Sequence, residues 1–455
     1  MEMDPAAAGS SLSKRVDQLI DVIKPRWGSE HRRARIAGYI KGIVQACFGP
    51  ELQVDAFTFG SVPLKTYLPD GDIDLSAFLL HKPPPGSNIK DAWASKLAGF
   101  LELEQQKQLG QQADRQAEDG SCQVKDVQVI NAEVKLLKCL VDNIVVDVSF
   151  NQIGGLCTLN FLECVDRKIG CNHLFKRSVI LVKAWCYYES RLLGAHHGLL
   201  STYALETLVL YIFNAYHREL RSPLKVLQKF LDVFSSFDWD RYCACLEGRI
   251  HLASIPGSSA ERPSDAAEDF LLDEDFVQEM LRNYGAGPIP PGHVPTIPTH
   301  SFQTKFINIC DVLMPNNNLG RSVSRASYAR IRKAFAYGAQ ILRGILESNS
   351  VERLDQFFRN TWNAQRRGPP QHDPEPPIST ASNLELMRWQ QLSGMAKAHG
   401  KPMSMPNPGA LPIGMPEISF ELAAAAMRSL STSFAMPIGS PNALGVRPPP
   451  PPPPR

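Results

Sequence analysis

The fold class this sequence predicts is a mixed α/β unit followed by a mainly α-helical second unit and a disordered C-terminal tail. Three observations predict it. Strand-like alternation is confined to the stretch before about residue 155, in Leu52 to Phe59, Asp72 to Leu79, Val124 to Lys138 and Ile144 to Phe150. After Gly154-Gly155 the apolar spacing becomes helical through Leu156 to Phe234. Of the 36 prolines, 17 lie before residue 366 and 19 after it, so the average composition describes no part of the chain. A length of 455 residues suggests about three domains; the composition shifts reduce that to two folded units.

In chain order, Ser13 to Phe48 carries Ile20, Ile23, Ile36, Ile40 and Ile43 at helical spacings, with Pro25 as a break. The Leu52 strand follows, then punctuation at Pro63 and Pro69-Asp70-Gly71, then the Asp72 strand, ended by Pro83-Pro84-Pro85. Lys90 to about Gln116 reads as a helix whose end is very polar. The last two strand runs close the first unit, giving boundaries of 1–24 for a partly helical N-terminal segment, 25–155 for the α/β unit and 156–365 for the helical one. Within the latter, Ile255 to His300 is rich in Pro, Gly, Ser and acids around one helix, Glu268 to Asn283, and reads as a surface insertion. Helices return in Ser324 to Asn349 and Val351 to Trp362. The tail, 366–455, has two weak helical windows and ends in seven prolines before Arg455, a polyproline II signature.

Forty-eight basic against 46 acidic residues leave a net charge of +2, which argues against a polycationic nucleic-acid binder and leaves local patches open. Ten cysteines without a CxxC pair read as free thiols of a reducing compartment and offer no zinc ribbon. His196-His197 lacks companions at zinc spacing. No secretory signal is visible, and the longest apolar stretch, Ala204 to Ala215, is interrupted by Glu206 and too short to span a bilayer. The expectation is a cytoplasmic or nuclear protein without membrane contact.

The chemistry concentrates in Phe59-Gly60-Ser61-Val62-Pro63 and, eleven positions on from Ser61, Asp72-Ile73-Asp74-Leu75. On a strand, Asp72 and Asp74 share a face, with Cα atoms roughly 6 to 7 Å apart. Two such carboxylates repel unless a divalent cation sits between them, and hard oxygen ligands suit magnesium bridged to substrate phosphates. Gly60 lets the backbone approach a phosphate, and its amide and the Ser61 hydroxyl can donate to phosphate oxygens. Asp147, on the later strand Val146 to Phe150, supplies the third carboxylate a two-metal site needs. Either motif alone is common on solvated surfaces; joined at this spacing they favour catalysis.

These residues resemble the DNA polymerase β-type nucleotidyltransferase superfamily, more closely its non-canonical poly(A) polymerase and terminal uridylyltransferase branch. Within it, Phe59 to Leu75 is most similar to a plant group described as having a poly(A) polymerase/oligoadenylate synthetase substrate-binding domain. The resemblance spans about residues 25 to 350 and includes Ala132-Glu133-Val134-Lys135 with Lys138, Leu181 to Trp185, Leu200 to Leu205 and Asn316 to Ser322. It implies a mixed-sheet nucleotidyltransferase palm and two Mg2+ (or Mn2+) ions on Asp72, Asp74 and Asp147. It further implies β and γ phosphates at Gly60 and Ser61, triphosphate contacts from Lys183, Ser201 and Thr202, base stacking on Tyr203, and nucleotide contacts from Asn317, Asn318 and Arg321.

The chain departs from the pattern at several places. Tyr187 stands where a second lysine is frequent, Thr158 where a ribose-contacting asparagine is expected, with Asn160 two positions on, and Thr202 where serine is usual. Asn317 stands where uridine-selective relatives have histidine, which suits ATP. The implied reaction is template-independent addition of NMP, AMP by preference, from an NTP to an RNA 3′ end. Two rivals stay open: a non-catalytic nucleotide or RNA-binding scaffold, and a transferase using a small-molecule or nucleotide acceptor. Arg321, Arg325, Arg330, Arg332 and Lys333, interleaved with Tyr328, Phe335 and Tyr337, suit either an RNA track or a solvated helix face. The tail suits a polyproline-reading partner.

Overall fold

The structure is a computed structural model that describes residues 5–80, 88–111, 122–131, 134–255, 260–267, 269–285 and 302–364. The proline-rich tail, its two helical windows and the Ala132-Glu133 pair lie outside the described residues. Among the described residues no helix is long and apolar enough to cross a membrane.

The chain opens with α1 (Pro5–Ile23) and α2 (Trp27–Leu52), separated by the break at Pro25. Then come β1 (Val54–Phe59), the single-turn α3 (Ser61–Leu64), β2 (Ile73–Leu79), α4 (Ile89–Gln111), β3 (Val124–Ile130), β4 (Leu136–Val141) and β5 (Ile144–Phe150). The five strands form one sheet in the order β1-β2-β5-β4-β3, with β2 and β5 parallel and the other pairs antiparallel. The run expected as one strand from Val124 to Lys138 is therefore two, because the chain reverses after Asn131 without a Gly or Pro to mark it.

Alternation decides which face of this sheet does what. Ile73, Leu75, Ala77, Val146 and Val148 are buried in one core with Ile36, Ile40 and Val44 of α2 and Trp93, Leu97 and Leu101 of α4. Asp74, Ser76, Asp147 and Ser149 alternate with them and so face the other side. That side meets the helical unit.

The helical unit contains α5 (Gly154–Ile169), α6 (Leu174–Ala184) running into a π-helical turn (Trp185–Glu189), α7 (Thr202–Tyr216) and α8 (Pro223–Ser236). It continues with a hairpin of β6 (Tyr242–Cys245) and β7 (Gly248–His251), then α9 (Glu274–Tyr284), α10 (Arg325–Ser348), α11 (Val351–Phe357) and α12 (Arg359–Ala364). The hairpin escaped sequence reading because Cys243-Ala244-Cys245 is a short buried apolar run with no alternation. The expected insertion is anchored where it is described. Asp273 caps α9, Leu272 N donates to Asn214 Oδ1 at 2.8 Å, and Val277, Met280 and Tyr284 are buried.

One close contact between the units is at the start of α5. Gly155 begins α5 against β1: a Cβ there would lie 2.2 Å from the Phe59 ring, so only glycine permits the approach. The N-terminal α1 packs on the helical unit and not on the sheet it precedes. Leu12, Val16, Leu19, Ile20 and Ile23 join the core of α6 and α8, each contributing about 1.5–3 kcal/mol of gross burial. Arg15 holds Asp355 of α11 through two 2.7 Å hydrogen bonds and lies 4.3 Å over the Trp362 ring.

Candidate active site

The sheet register assembles the acids. Across four neighbouring strands one row reads Phe59, Asp74, Asp147, Lys138, since Phe59 pairs with Asp74, Asp74 with Asp147 and Asp147 with Lys138. Asp72 sits just before β2. One carboxylate oxygen from each of Asp72, Asp74 and Asp147 lies within 4.8 Å of the others, which is the only such metal-competent group among the described residues. The Lys138 ammonium stands 2.8 Å from Asp147 Oδ1 and 2.9 Å from Oδ2.

Burial and mutual repulsion set the charge state here. Burial first, then the charges of Asp72 and Asp147, push the Asp74 carboxyl up to about 8, while Lys183 and Lys138 oppose the shift. Burial also raises Asp147, restrained by its bond to Lys138. The residues fit divalent cations: three hard oxygen donors converge, and Asp147 Oδ1 is buried and accepts no well-angled hydrogen bond. Asp72, Asp74 and Asp147 are the side chains that would hold them.

The shift has a testable consequence. With a carboxyl at about 8 in the fold and 3.8 ordinarily, folded Asp74 keeps its proton where the unfolded chain has lost it. On this group's account the metal-free protein loses stability as pH climbs from about 4 to about 8. Asp74→Asn is therefore expected to melt several degrees above the parent at pH 8 and close to it at pH 4. Manganese is expected to stabilise the parent more at pH 8 than at pH 6 and to leave the variant nearly unmoved. Equal melting of parent and variant at pH 8 would argue against a buried, destabilising charge.

The loops around the acids are held by residues that sequence reasoning passed over. Arg33 of α2 donates to Ser29 Oγ at 2.7 Å, Pro69 O at 3.2 Å and Gly71 O at 2.7 Å, and its guanidinium lies 4.3 Å over the Tyr67 ring. It thereby pins the turn that presents Asp72. Tyr188, on the π-helical turn, donates to Asp70 Oδ1 at 2.6 Å and ties that turn to the helical unit. Asp70 was legible as a turn residue; Arg33 looked like any basic residue of an amphipathic helix. On the other flank, Gly60 has φ +73° and leads into α3, where Ser61 is buried.

Lys183 is buried at the end of α6, its Nζ 3.4 Å from the Thr66 carbonyl, and its charge acts on both Asp74 and Glu206. Burial raises Glu206 to about 7. The Ser201 hydroxyl caps α7 by accepting from Ala204 N at 3.1 Å, and Thr202 is the first residue of that helix. A polar chain then crosses the site. The Tyr203 phenol donates to Asp311 Oδ1 at 3.0 Å; Asn317 donates to Asp311 Oδ2 at 2.9 Å and accepts from Arg321 at 2.6 Å. Asp311, missed in the sequence, is the hub of this chain. Burial raises its carboxyl, with Asn317 and Tyr203 opposing.

One expected site residue is placed differently. Asn318 is 3% exposed and spends its carboxamide inside the loop. Its Oδ1 accepts from Ile309 N and Gly320 N, and its Nδ2 donates to Gln303 O and Asn308 Oδ1. Asn318 shapes the loop and does not present its side chain to a base; nothing in the local sequence separates it from Asn317. The His196 and His197 rings meet edge to face, with centroids 5.0 Å apart.

Comparison with known proteins agrees with this geometry. Residues 12–167 match the family described as poly(A) RNA polymerase, mitochondrial-like, central palm domain, and residues 169–362 match the PAP/OAS1 substrate-binding domain. No curated protein sequence matches the chain significantly. Among solved structures, a cytoplasmic RNA terminal U-transferase aligns with a TM-score of 0.50 at 14% identity, covering 81% of this chain and 99% of the other. Cid1 poly(U) polymerase with magnesium and 3′-dATP aligns with a TM-score of 0.50 at 16% identity, covering 76% and 98%. These likenesses establish a shared fold.

Proposed function

We propose, from the premise that this chain belongs to the non-canonical poly(A) polymerase and terminal uridylyltransferase branch of the polymerase β-type nucleotidyltransferases, that it adds AMP from ATP to an RNA 3′ end without a template. The observation that carries this reading is the pairing of Asp74 directly opposite Asp147, with Asp72 completing a carboxylate triad within 4.8 Å.

In this reading the 3′ oxygen attacks the α-phosphorus in line, forming the new phosphodiester as the bond to the β-phosphate oxygen breaks and pyrophosphate leaves. Asp147 takes the hydroxyl proton. Two Mg2+ (or Mn2+) ions, when bound, supply the charge neutralisation that the leaving pyrophosphate needs. Gly60 and Ser61 hold the β and γ phosphates, with Lys183 and Thr202 as further contacts. Tyr203 gives the base a platform, and the Asp311-bound Asn317 together with Arg321 reads its edge.

The test is purified protein with magnesium or manganese, each NTP in turn, and a labelled RNA primer or none. A lengthening ladder with ATP is expected; products that form without primer while an added primer stays unextended point to a small acceptor, and no incorporation anywhere overturns the enzyme reading. Asn317→His is expected to raise the UTP-to-ATP incorporation ratio about tenfold, the worth of one exchanged hydrogen bond. An unchanged ratio removes Asn317 from base selection. The seven-proline run is proposed to dock a polyproline-reading partner, and a cytoplasmic or nuclear site of action remains part of the same proposal.

A further inference from the structure

From Arg325 to Leu346 the helix α10 contains no carboxylate, so Arg325, Arg330, Arg332, Lys333 and Arg343 make its exposed face uniformly basic. Its apolar side is ordinary core: Phe335 is fully buried and stacks on Trp185 at 6.4 Å. The two edges of the exposed face differ. Along one, Arg332 lies 3.3 Å from Asp240, Tyr328 donates to the same carboxylate at 2.7 Å, and Arg343 is 3.1 Å from Asp232. Those cations are already neutralised by the fold.

The other edge is different. Arg330, Lys333 and Tyr337 stand at i, i+3 and i+7, a single stripe about 10 Å long. Arg330 bonds only a neutral carbonyl, Ser190 O at 3.3 Å, and Lys333 has no ion-pair partner among the described residues. Tyr337 is 67% exposed, the most exposed large aromatic among the described residues. The stripe also begins at the cleft. Ser324 N donates to Gly198 O at 3.0 Å and Ser322 Oγ to Leu199 O at 2.8 Å, which seats the start of α10 on the 190–199 segment. That segment follows Tyr187, 42% exposed, and Tyr188, which donates to Asp70 Oδ1 at 2.6 Å in the turn that leads into Asp72.

We infer that this stripe is the track of a single-stranded RNA whose 3′ end lies at the carboxylate triad, with phosphates against Arg330 and Lys333 and a base stacked on Tyr337. Unpaired cations cost nothing to offer to phosphate, and an exposed phenol beside them stacks any base. The inference rests on the RNA substrate proposed above.

The test separates the two. Binding of a fluorescein-labelled single-stranded oligoadenylate is measured by polarisation across a salt series, using Asp72→Ala/Asp74→Ala protein without metal so that turnover plays no part. Arg330→Gln/Lys333→Gln is expected to weaken binding at least tenfold and to lower the slope of log affinity against log salt by about 1.4, for two lost phosphate contacts. Tyr337→Ala is expected to weaken binding about tenfold with the slope unchanged. Lys107→Gln/Arg282→Gln, on α4 and α9, controls for net charge and should bind like the parent. A parent that does not bind the RNA, stripe variants that bind as it does, or a control that loses as much, each overturns the track. Incorporation by the intact enzyme is scored separately. Its absence with stripe-dependent binding retained sinks the transferase reading alone, and its presence with unaffected stripe variants sinks the track alone.

Discussion

Asp72→Ala/Asp74→Ala is expected to lower nucleotide incorporation by about 10³-fold or more while leaving the protein folded. The magnitude follows from what the two side chains do. They supply two of the three oxygen donors that converge within 4.8 Å, and without them the charge building on pyrophosphate has no compensating cation. A thousandfold is about 4 kcal/mol of barrier, a modest demand on that interaction. Loss through unfolding can be told apart, because the Asp74 charge is held in a buried, repulsive setting, and removing it relieves the metal-free fold. Primer extension and thermal melting at pH 8 on the same preparations check both halves. An inactive variant that melts well below the parent would point to a structural role, and a variant retaining a tenth of the activity would sink the assignment.

Gly60→Ala should produce the second largest effect, a fall of about 10²-fold in kcat/KM. Gly60 sits at φ +73° and ψ −145°, a region open in practice to glycine, so any side chain there costs about 1–3 kcal/mol. Strain is the smaller part. An alanine Cβ would lie 2.8 Å from Asp74 Oδ2, closer than such atoms come, and either the carboxylate or the turn must move. Because Phe59 and Asp74 are paired across β1 and β2, the turn has little room to yield without opening the ladder. The carboxylate is therefore the group displaced, and misplacement by about 1 Å is enough for a hundredfold loss. Manganese binding should weaken in parallel, as followed by the thermal shift it induces. Activity within threefold of the parent would show that the loop adapts and that Gly60 is not needed for the geometry of the acids.

Much of the site was legible because strand alternation is a local property. Asp74 and Asp147 alternate with buried Ile73, Leu75, Val146 and Val148, so each acid's face was fixed by its neighbours. Helix ends were equally local: Ser324 and Asn349 bound α10 where the spacing placed them. Strand pairing is not local. That β2 and β5 run parallel and bring Asp74 opposite Asp147 depends on the 64 residues between β2 and β5 crossing back, which no motif announces. Lys138 became the counterion of Asp147 only because the expected single strand from Val124 reverses to form β4.

The supporting residues were hidden for a related reason. Arg33 acts through Pro69 and Gly71, 36 and 38 positions away, Tyr188 through Asp70, 118 away, and Asp311 through Tyr203, 108 away. Within their own segments they look like solvated or core residues. Asn317 and Asn318 are adjacent and alike in composition, yet one faces Asp311 and Arg321 and the other is buried in its own loop.

By itself, then, the sequence determined the two-part architecture, the helix and strand types of most elements and the identity of the three acids, since periodicity and side-chain chemistry act over a few residues. Only the tertiary structure decided how far apart those acids lie, which cations face them and which carboxamide in the Asn316 to Ser322 loop bonds Asp311 and Arg321. It also decided that the first helix belongs to the second unit, and which edge of α10 keeps its positive charge unpaired. Burial, strand register and ion pairing are set by chain segments that meet after folding, and the free energy of each depends on a partner that the local sequence does not contain.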